Sequence, residues 1–412
     1  MVDVDLTARL TGSLSSPAGA VTALAVLLAA LVLGSGRVRS WLFSTRSSSE
    51  IRISQLKLYP IKSVRGVSVP KAKLTQGGLE HDREFALALR SDESGTYDRW
   101  TLFEEANVSL ALCSSFADAV RLTGILQLGR FIVEKMTDDE LIVGVLPKFA
   151  SADPAVPRTL SVSLAPLPPP SAASPLVTFQ IGTSNAATVR DIGDEASAFF
   201  AAHLGDTVPA GQRVRLVRKL YGGEGVAARE LTGCGEHIKG RDLSLQNVLP
   251  LLLVNEASWE DLRSQMAEED RGDGDGFGAQ MTIDRTRGNV VLSGARAWEE
   301  DEYARVRITP TTSEHSADDQ SSSETRATTE LDVVGRCMRC KILTVDPVTG
   351  ERHATEPLKT MMKTRRIDQG APYKAAFGMH AVPVPPFGAT LRVGDKVDVL
   401  ATTRKHFYIK GY

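Results

Sequence analysis

GRCMRCKILTVDPVTG, Gly335–Gly350, sets two thiols, Cys337 and Cys340, three residues apart just ahead of the apolar run KILTVD, which reads as a strand. Arg336 and Arg339 beside the pair favour thiolate, a soft metal ligand and a nucleophile. Three chemistries compete for the pair: a redox dithiol, half of a zinc site, and a ligand to a soft transition metal. A thioredoxin-like dithiol wants a helix after it, where this sequence has a strand. A zinc site needs another half, which Cys234 and His237 could supply across a loop of about a hundred residues. The plainest alternative makes both cysteines small buried hydrophobes at the start of a strand. Asp346 and the turn formers after it close the segment.

Outward from this stretch, the second half reads as strand LPLLLVN, helix EASWEDLRSQ, strands NVVLS, ARVRI and KILTVD, helix EPLKTMMKTRR and strand LRVGDKVDVL. That order predicts a barrel with helices at its rim. Upstream, IRISQLKLY, VSVPKAKL, REFALAL, FADAVRL and ELIVGVL read as strands. Between Ser151 and Pro175 seven prolines crowd a segment without a ladder pattern, read as a surface excursion inserted into a β-rich domain. Ile192–Leu204 has helical spacing, with Gly205 as its stop. Two acidic excursions follow. Met266–Gln280 is rich in Gly, and Thr311–Glu330 carries five acids against one Arg and is expected to be disordered. The fold expected is mixed α/β and β-rich: an N-terminal segment over 1–50, a barrel-like domain over 51–205 and a second barrel with rim helices over 206–412.

Ala18–Ser35 is an uncharged Ala/Leu/Val-rich run of 18 residues, enough at 1.5 Å per residue to cross ~30 Å of hydrocarbon. Asp3 and Asp5 outweigh Arg9 ahead of it, which favours a transmembrane anchor over a cleaved signal peptide. Arg37, Arg39 and Arg46 after it place the remainder of the chain in the cytosol. Over 412 residues, 48 Lys+Arg against 50 Asp+Glu remove the electrostatic case for nucleic-acid binding. Four cysteines are too few for a disulfide scaffold. GxSxG, HExxH, Walker and EF-hand patterns are absent; RGDGDGFG would put Arg271 at the first calcium-ligand position. Gly222, Gly223 and Gly225 lack the spacing of a dinucleotide turn and read as a plain loop.

RCMRCKILTVDPVTGER, followed by EPLKTM and FGMHA, resembles the signature of MOSC domains, the C-terminal domain of molybdenum cofactor sulfurases. LYPIKSVRGVSV and GGLEHDREFAL resemble the β-barrel domain that precedes MOSC in the mitochondrial amidoxime-reducing component family, and LLLVNEASWEDL and RTRGNVVLSG are similar to that family's intervening motifs. The resemblance runs in the same order over about residues 51–402. It implies Mo-molybdopterin as cofactor, with Cys340 the cysteine whose sulfur binds the metal and so the catalytic residue. It also implies that Lys62, Ser63 and Arg83 sit around the cofactor phosphate, and their donors suit one; as unaided residues they would be solvated charges. Ser258, near a helix start, implies a small donor to the pterin, or else an ordinary N-cap. Arg287 and Asn289 match an Arg-Pro-Asn triplet in which Gly288 replaces proline, a departure expected to loosen the turn. Met338 and Arg339 stand where the family approaches the cofactor, Met338 through backbone alone. His380 stands where animal relatives have Tyr and is taken as a cofactor-side donor.

The activity so implied is reduction of amidoximes and hydroxylamines by oxygen-atom abstraction, the metal cycling between Mo(IV) and Mo(VI). No Cys-x4-Cys-x2-Cys cluster motif is present, so electrons would come from another protein, which the resemblance implies is a b5-type cytochrome with its NADH-dependent reductase. The family arrangement implies a single-pass anchor in the outer mitochondrial membrane. A rival reading is a module that carries or sulfurates the cofactor without turnover. Pyridoxal phosphate binding enters only through the sulfurases, and its domain is not found in this sequence, which argues against a complete sulfurase.

Overall fold

The computed structural model describes residues 50–91, 99–102, 128–172, 174–181, 185–229, 238–271, 281–311 and 327–406. The expected anchor at 18–35, the strand FADAVRL, Cys234 and His237 lie outside them. Among the described residues no helix is long and apolar enough to cross a membrane.

In chain order the strands are β1 (Arg52–Leu58), β2 (Val67–Val69), β3 (Lys71–Thr75), β4 (Gly78–Leu79), β5 (Phe85–Ser91), β6 (Arg99–Leu102), β7 (Phe131–Met136), β8 (Glu140–Val145), β9 (Thr159–Ser163), β10 (Val177–Ile181), β11 (Asn185–Asp191) and β12 (Gln212–Lys219). They continue as β13 (Leu251–Asn255), β14 (Val290–Ser293), β15 (Tyr303–Thr309), β16 (Thr329–Met338), β17 (Ala376–Pro383), β18 (Thr390–Arg392) and β19 (Lys396–Thr402). Among the described residues four α-helices accompany them: α1 (Asp194–Leu204), α2 (Glu256–Ser264), α3 (Glu268–Arg271) and α4 (Leu358–Thr364).

Alternation along FALALRS decides the first barrel. Ala86 and Ala88 face a narrow interior with Phe179, Val189 and Val217, while Phe85, Leu87 and Leu89 face outward into a second core. Small residues inside are what a five-strand ring can hold. The ring runs β10-β11-β12-β5-β6 and closes through parallel β6–β10 pairing. Its outer core is completed by the sheet β7-β8-β9 and by Phe199 and Phe200 of α1. Gly205 ends α1 at a φ of 53°, the left-handed conformation that favours glycine.

LLLVN is apolar throughout because β13 is covered on both faces. Leu251 and Leu253 point into a seven-strand ring, β14-β13-β17-β16-β15-β19-β1, closed by β1 pairing with β14. Leu252 and Val254 point outward under Trp259 and Leu262 of α2 and Met361 of α4. The molecule is therefore β-rich with few helices, as expected, and the rim helices lie where the apolar outer faces need cover.

Three expectations change. KILTVD is not a strand: β16 ends at Met338, ahead of Cys340, and Lys341–Thr344 is a 3-10 helix. Tertiary contacts overrule β-propensity there, because the Leu343 side chain is drawn into the outer core and its carbonyl accepts from Arg285 Nη1 at 3.3 Å. The Pro-rich excursion contains β9, whose TLSVS alternation buries Leu160 and Val162 against β8. LRVGDKVDVL is two strands, broken where the Asp395 carboxylate accepts from Arg392 N at 2.8 Å. Strand pairing also ignores residues 205 and 206: β12 belongs to the five-strand ring and β1 to the seven-strand ring.

Candidate functional site

Cys340 is exposed, and Cys337, three residues earlier, is 5% exposed. The register of β16 against β17 slips twice around Cys337, between Val333 and Gly335 and between Arg336 and Met338. Such slips re-aim side chains near sites. Cys337 Sγ accepts from Arg339 Nη1 at 3.1 Å, and His380 lies beside it. Burial alone pushes this thiol up; the charges of Arg339 and His380 and the hydrogen bonds they make outweigh it and bring it down to about 6. The two thiols thus occupy opposite environments, which a closed zinc site would not leave them in. Among the described residues no cluster of three or more His, Cys, Asp or Glu is placed to hold a metal.

The helix that follows Cys340 leads into a cleft. Ile342 lines a small cavity with Ser63, Arg65, Arg285, Arg287 and Asp346. This continues, through Arg65, Asp284, Arg287 and Pro347, into a space of about 420 Å³ walled by Lys57, Tyr59, Gly66–Ser68 and Ile132–Glu134. Tyr59 is sandwiched, with the Arg83 and Arg287 guanidinium carbons 4.6 and 4.5 Å from its ring centre. Burial, opposed by Arg287 and Arg83, pushes its hydroxyl up to about 12, so it stays protonated. Three of the five non-glycine residues with positive φ among the described residues, Ser63 (66°), Arg83 (51°) and Arg287 (57°), belong to this site. Backbone held in the left-handed region clusters where function over-determines it.

The sequence-predicted residues separate into two groups. Ser63 and Arg287 line the cleft; Arg83 donates to Asn289 Oδ1 at 3.0 Å and to the Arg287 carbonyl at 3.4 Å. Asn289 is 1% exposed and positions backbone: its amide donates to Lys57 O, and its Oδ1 accepts from Leu252 N. Arg339 ties the thiol segment to the cleft wall by donating from Nη2 to Thr286 O at 2.6 Å. The others do not meet there. Lys62 is buried and its ammonium donates to Leu245 O and Asn247 Oδ1. Ser258 is wholly buried, its hydroxyl donating to Glu300 Oε2 and accepting from Trp298 N, both at 2.7 Å; Asn255, not Ser258, caps α2. Met338 packs with Ala371 and Ala376. His380 faces Cys337 rather than the cleft. Nor is the turn at Gly288 loose: a Cβ there would lie 2.5 Å from Val254 Cγ2.

Arg65 lines both parts of the cleft and escaped the sequence reading. Its signal was present, since it is the second cation in LYPIKSVRGV, but a single charge in a turn carries no periodicity. Arg285 was missed too. It forms an ion pair with Asp346 at 3.0 Å, both side chains fully buried. Asp346 also accepts from Val348 N and Thr349 N, so it does organise the turn.

An exposed thiol two residues before Ile342, which lines a cavity with cationic and hydroxyl donors, fits a group that presents both a soft metal and a phosphate. Residues 240–398 match the family described as MOSC domain, and residues 50–99 match the MOSC N-terminal beta barrel domain. The chain is 28% identical over 361 residues to mitochondrial amidoxime-reducing component 1 of Mus musculus, covering 84% of this chain and 82% of that protein. It is 28% identical over 212 residues to mitochondrial amidoxime reducing component 2 of Rattus norvegicus, 50% of this chain and 52% of the relative. A molybdenum cofactor sulfurase of Anopheles gambiae is 32% identical over 123 residues, 30% of this chain and 14% of that protein.

Proposed function

From the premise that the chain belongs to the MOSC-domain proteins and carries the companion N-terminal barrel domain, we propose that it is a molybdenum cofactor-dependent oxidoreductase that reduces N-hydroxylated compounds such as amidoximes and hydroxylamines. The membrane anchor at 18–35 and the outer mitochondrial membrane are part of the same proposal, as are a b5-type cytochrome and its NADH-dependent reductase as electron source. The observation that carries it is the exposed thiol of Cys340, next to a helix whose Ile342 shares a cavity with Ser63, Arg65 and Arg287.

When bound, the cofactor supplies two-electron redox chemistry at a metal able to accept an oxygen atom. Cys340 would hold the metal as thiolate, and Ser63, Arg65 and Arg287 would hold the phosphate. Arg83 orients Arg287 through its carbonyl, and the Tyr59 ring keeps both guanidinium planes in place. The wider cleft, polar and lined by Lys57, Ser68, Glu134 and Asp284, admits small polar substrates without a deep specificity pocket.

The test is the full chain produced in a host that makes the cofactor, assayed for benzamidoxime reduction with reduced methyl viologen. Cys340→Ala is expected to lose essentially all turnover; molybdenum-dependent reduction by that variant would end the reading. The sulfurase match gives the carrier reading its own observation. A loaded protein that hands its cofactor to an apo-enzyme yet never reduces benzamidoxime would establish it.

A further inference from the structure

Charge on this chain nearly balances, with a formal net of -2. The surface leading away from Cys340 does not. Between Arg339 and Lys374 the acids are Asp346, Glu351, Glu356 and Asp368. Three of them are buried: Asp346 on Arg285, Glu356 accepting from Thr360 N, and Asp368 on Arg336. The fourth, Glu351, pairs with Lys148 at 2.8 Å. Of the cations in the segment, Arg365 is buried on Asp301, but Arg352, Lys359, Lys363 and Arg366 are exposed, Lys359 lying 4.0 Å from Glu356, and Lys341 and Lys374 are half-exposed.

The fold produces this sorting. In α4, Met361 and Thr360 are buried, and Met361 shares the outer core with Leu343. Lys359 and Lys363, four residues apart on the helix, therefore share the outward face. The loop after α4 is drawn in by Asp368, which accepts from Gly370 N, and by Arg365, which pairs with Asp301. What this leaves outside is Arg366, Ile367 and Tyr373, the last 82% exposed. Arg339 N donates to Ala375 O at 2.8 Å, so this loop is bonded to the residue next to Cys340. The loop that carries Tyr373, and follows the cationic face of α4, is thus tied by backbone to the residue preceding the exposed thiol. Tyr and Arg are the side chains enriched at binding hot spots.

We propose that the surface formed by α4 and the loop 365–375 is the docking site for the acidic face of a small redox protein that delivers electrons to the Cys340 site. The proposal rests on the function proposed above. It adds where the donor lands and the charge that guides it. Electron-transfer encounters are small and weakly held, so complementary charge governs their rate more than their affinity, and salt weakens them.

The test uses the full, cofactor-loaded chain and an acidic cytochrome of the b5 type with its reductase and NADH. In one variant Lys359, Lys363 and Arg366 are each changed to Glu; a control carries Arg158→Glu, an exposed cation on another sheet's approach. The expected result is a fall of at least tenfold in cytochrome-driven kcat/KM and a flattened salt dependence. Viologen-driven benzamidoxime reduction stays within about twofold of the parent, and the Arg158→Glu control is unaltered. A cytochrome-driven rate and salt slope equal to the parent's would overturn the docking site. Calorimetric titration with the cytochrome reads the same surface without turnover, so absence of viologen-driven reduction in the parent would sink the function while leaving the interface to be decided by binding. Loss of binding to phosphatidylserine vesicles in the triple variant, with cytochrome binding intact, would assign the surface to lipid and overturn the proposal as well.

Discussion

Glu300 holds one oxygen, Oε2, against Ser258 and Asn255, while Oε1 is buried without a hydrogen-bond partner. Burial first, and then the neighbouring charge of Asp301, push its carboxyl up from 4.5 to about 7. The folded protein then keeps this proton to higher pH than the unfolded chain does. Stability from this group is greatest below about 4.5 and falls as pH rises toward 7, by on the order of 3 kcal/mol. Urea unfolding of Glu300→Gln should show that fall removed and greater stability than the parent at pH 8; an unaltered pH slope would clear Glu300 of the effect. Gly288 makes a second case. Since a Cβ there meets Val254, Gly288→Ala should cost roughly 1–3 kcal/mol and lose most of that cost in a Val254→Ala background, a coupling that a double-mutant cycle measures. Motif position alone points to Ser63 and Arg287, which line the cleft. The place of Ser258 could not be found so, because its partner Glu300 stands 42 residues later and nothing local marks a buried carboxylate as the owner of that hydroxyl.

Two short 3-10 helices, Ile283–Thr286 and Lys341–Thr344, carry the two halves of the site, and they are stapled to each other. Arg285 reaches from the first to Leu343 O of the second and to Asp346 just beyond it, and Arg339, just ahead of the second, reaches back to Thr286 O. Burial pulls the Arg285 guanidinium down and Asp346 opposes that, leaving a matched pair inside the protein. Removing one member strands the other charge, at about 3–5 kcal/mol. Arg285→Met should therefore lose about that much stability and speed amide exchange at Leu343, Val345 and His353, whose N–H groups bond within this segment. Exchange matching the parent's at those amides would mean that the turn holds itself. The same segment shows where element reading fails. KILTVD has strand composition, and only the distant Arg285 and the outer core turn it into a helix. TLSVS has true period-two alternation, hidden by the prolines around it, although they stop short of its five residues.

Over the whole molecule, β1, β3, β5, β8, β14 and β15, the covered central strand β13 and the helices α1, α2 and α4 were legible, since burial stamps its period on each, whereas β7, β9 to β12 and β17 escaped the sequence reading as strands. Which ring a strand joins leaves no such stamp: β1 slips register between Ile53 and Gln55 so that Ile53, Leu56 and Leu58 share one core, and nothing in its sequence names the ring it closes. The consequence is an interleaved chain, in which β1 from the N-terminal side pairs with both β14 and β19 to close the seven-strand ring, while β12, past residue 205, lies between β11 and β5. Cutting between 205 and 206 would leave β14 and β19 with unpaired edges and strip β12 of both neighbours. Open apolar edges aggregate rather than fold. Residues 206–412 alone should therefore give no cooperative thermal transition and precipitate, whereas 50–412 unfolds in one transition. Supplying residues 50–75 as a separate chain should recover soluble material only in part, because β12 still lacks partners. A soluble 206–412 fragment unfolding cooperatively within a few degrees of the longer chain would show that ring closure by β1 is dispensable.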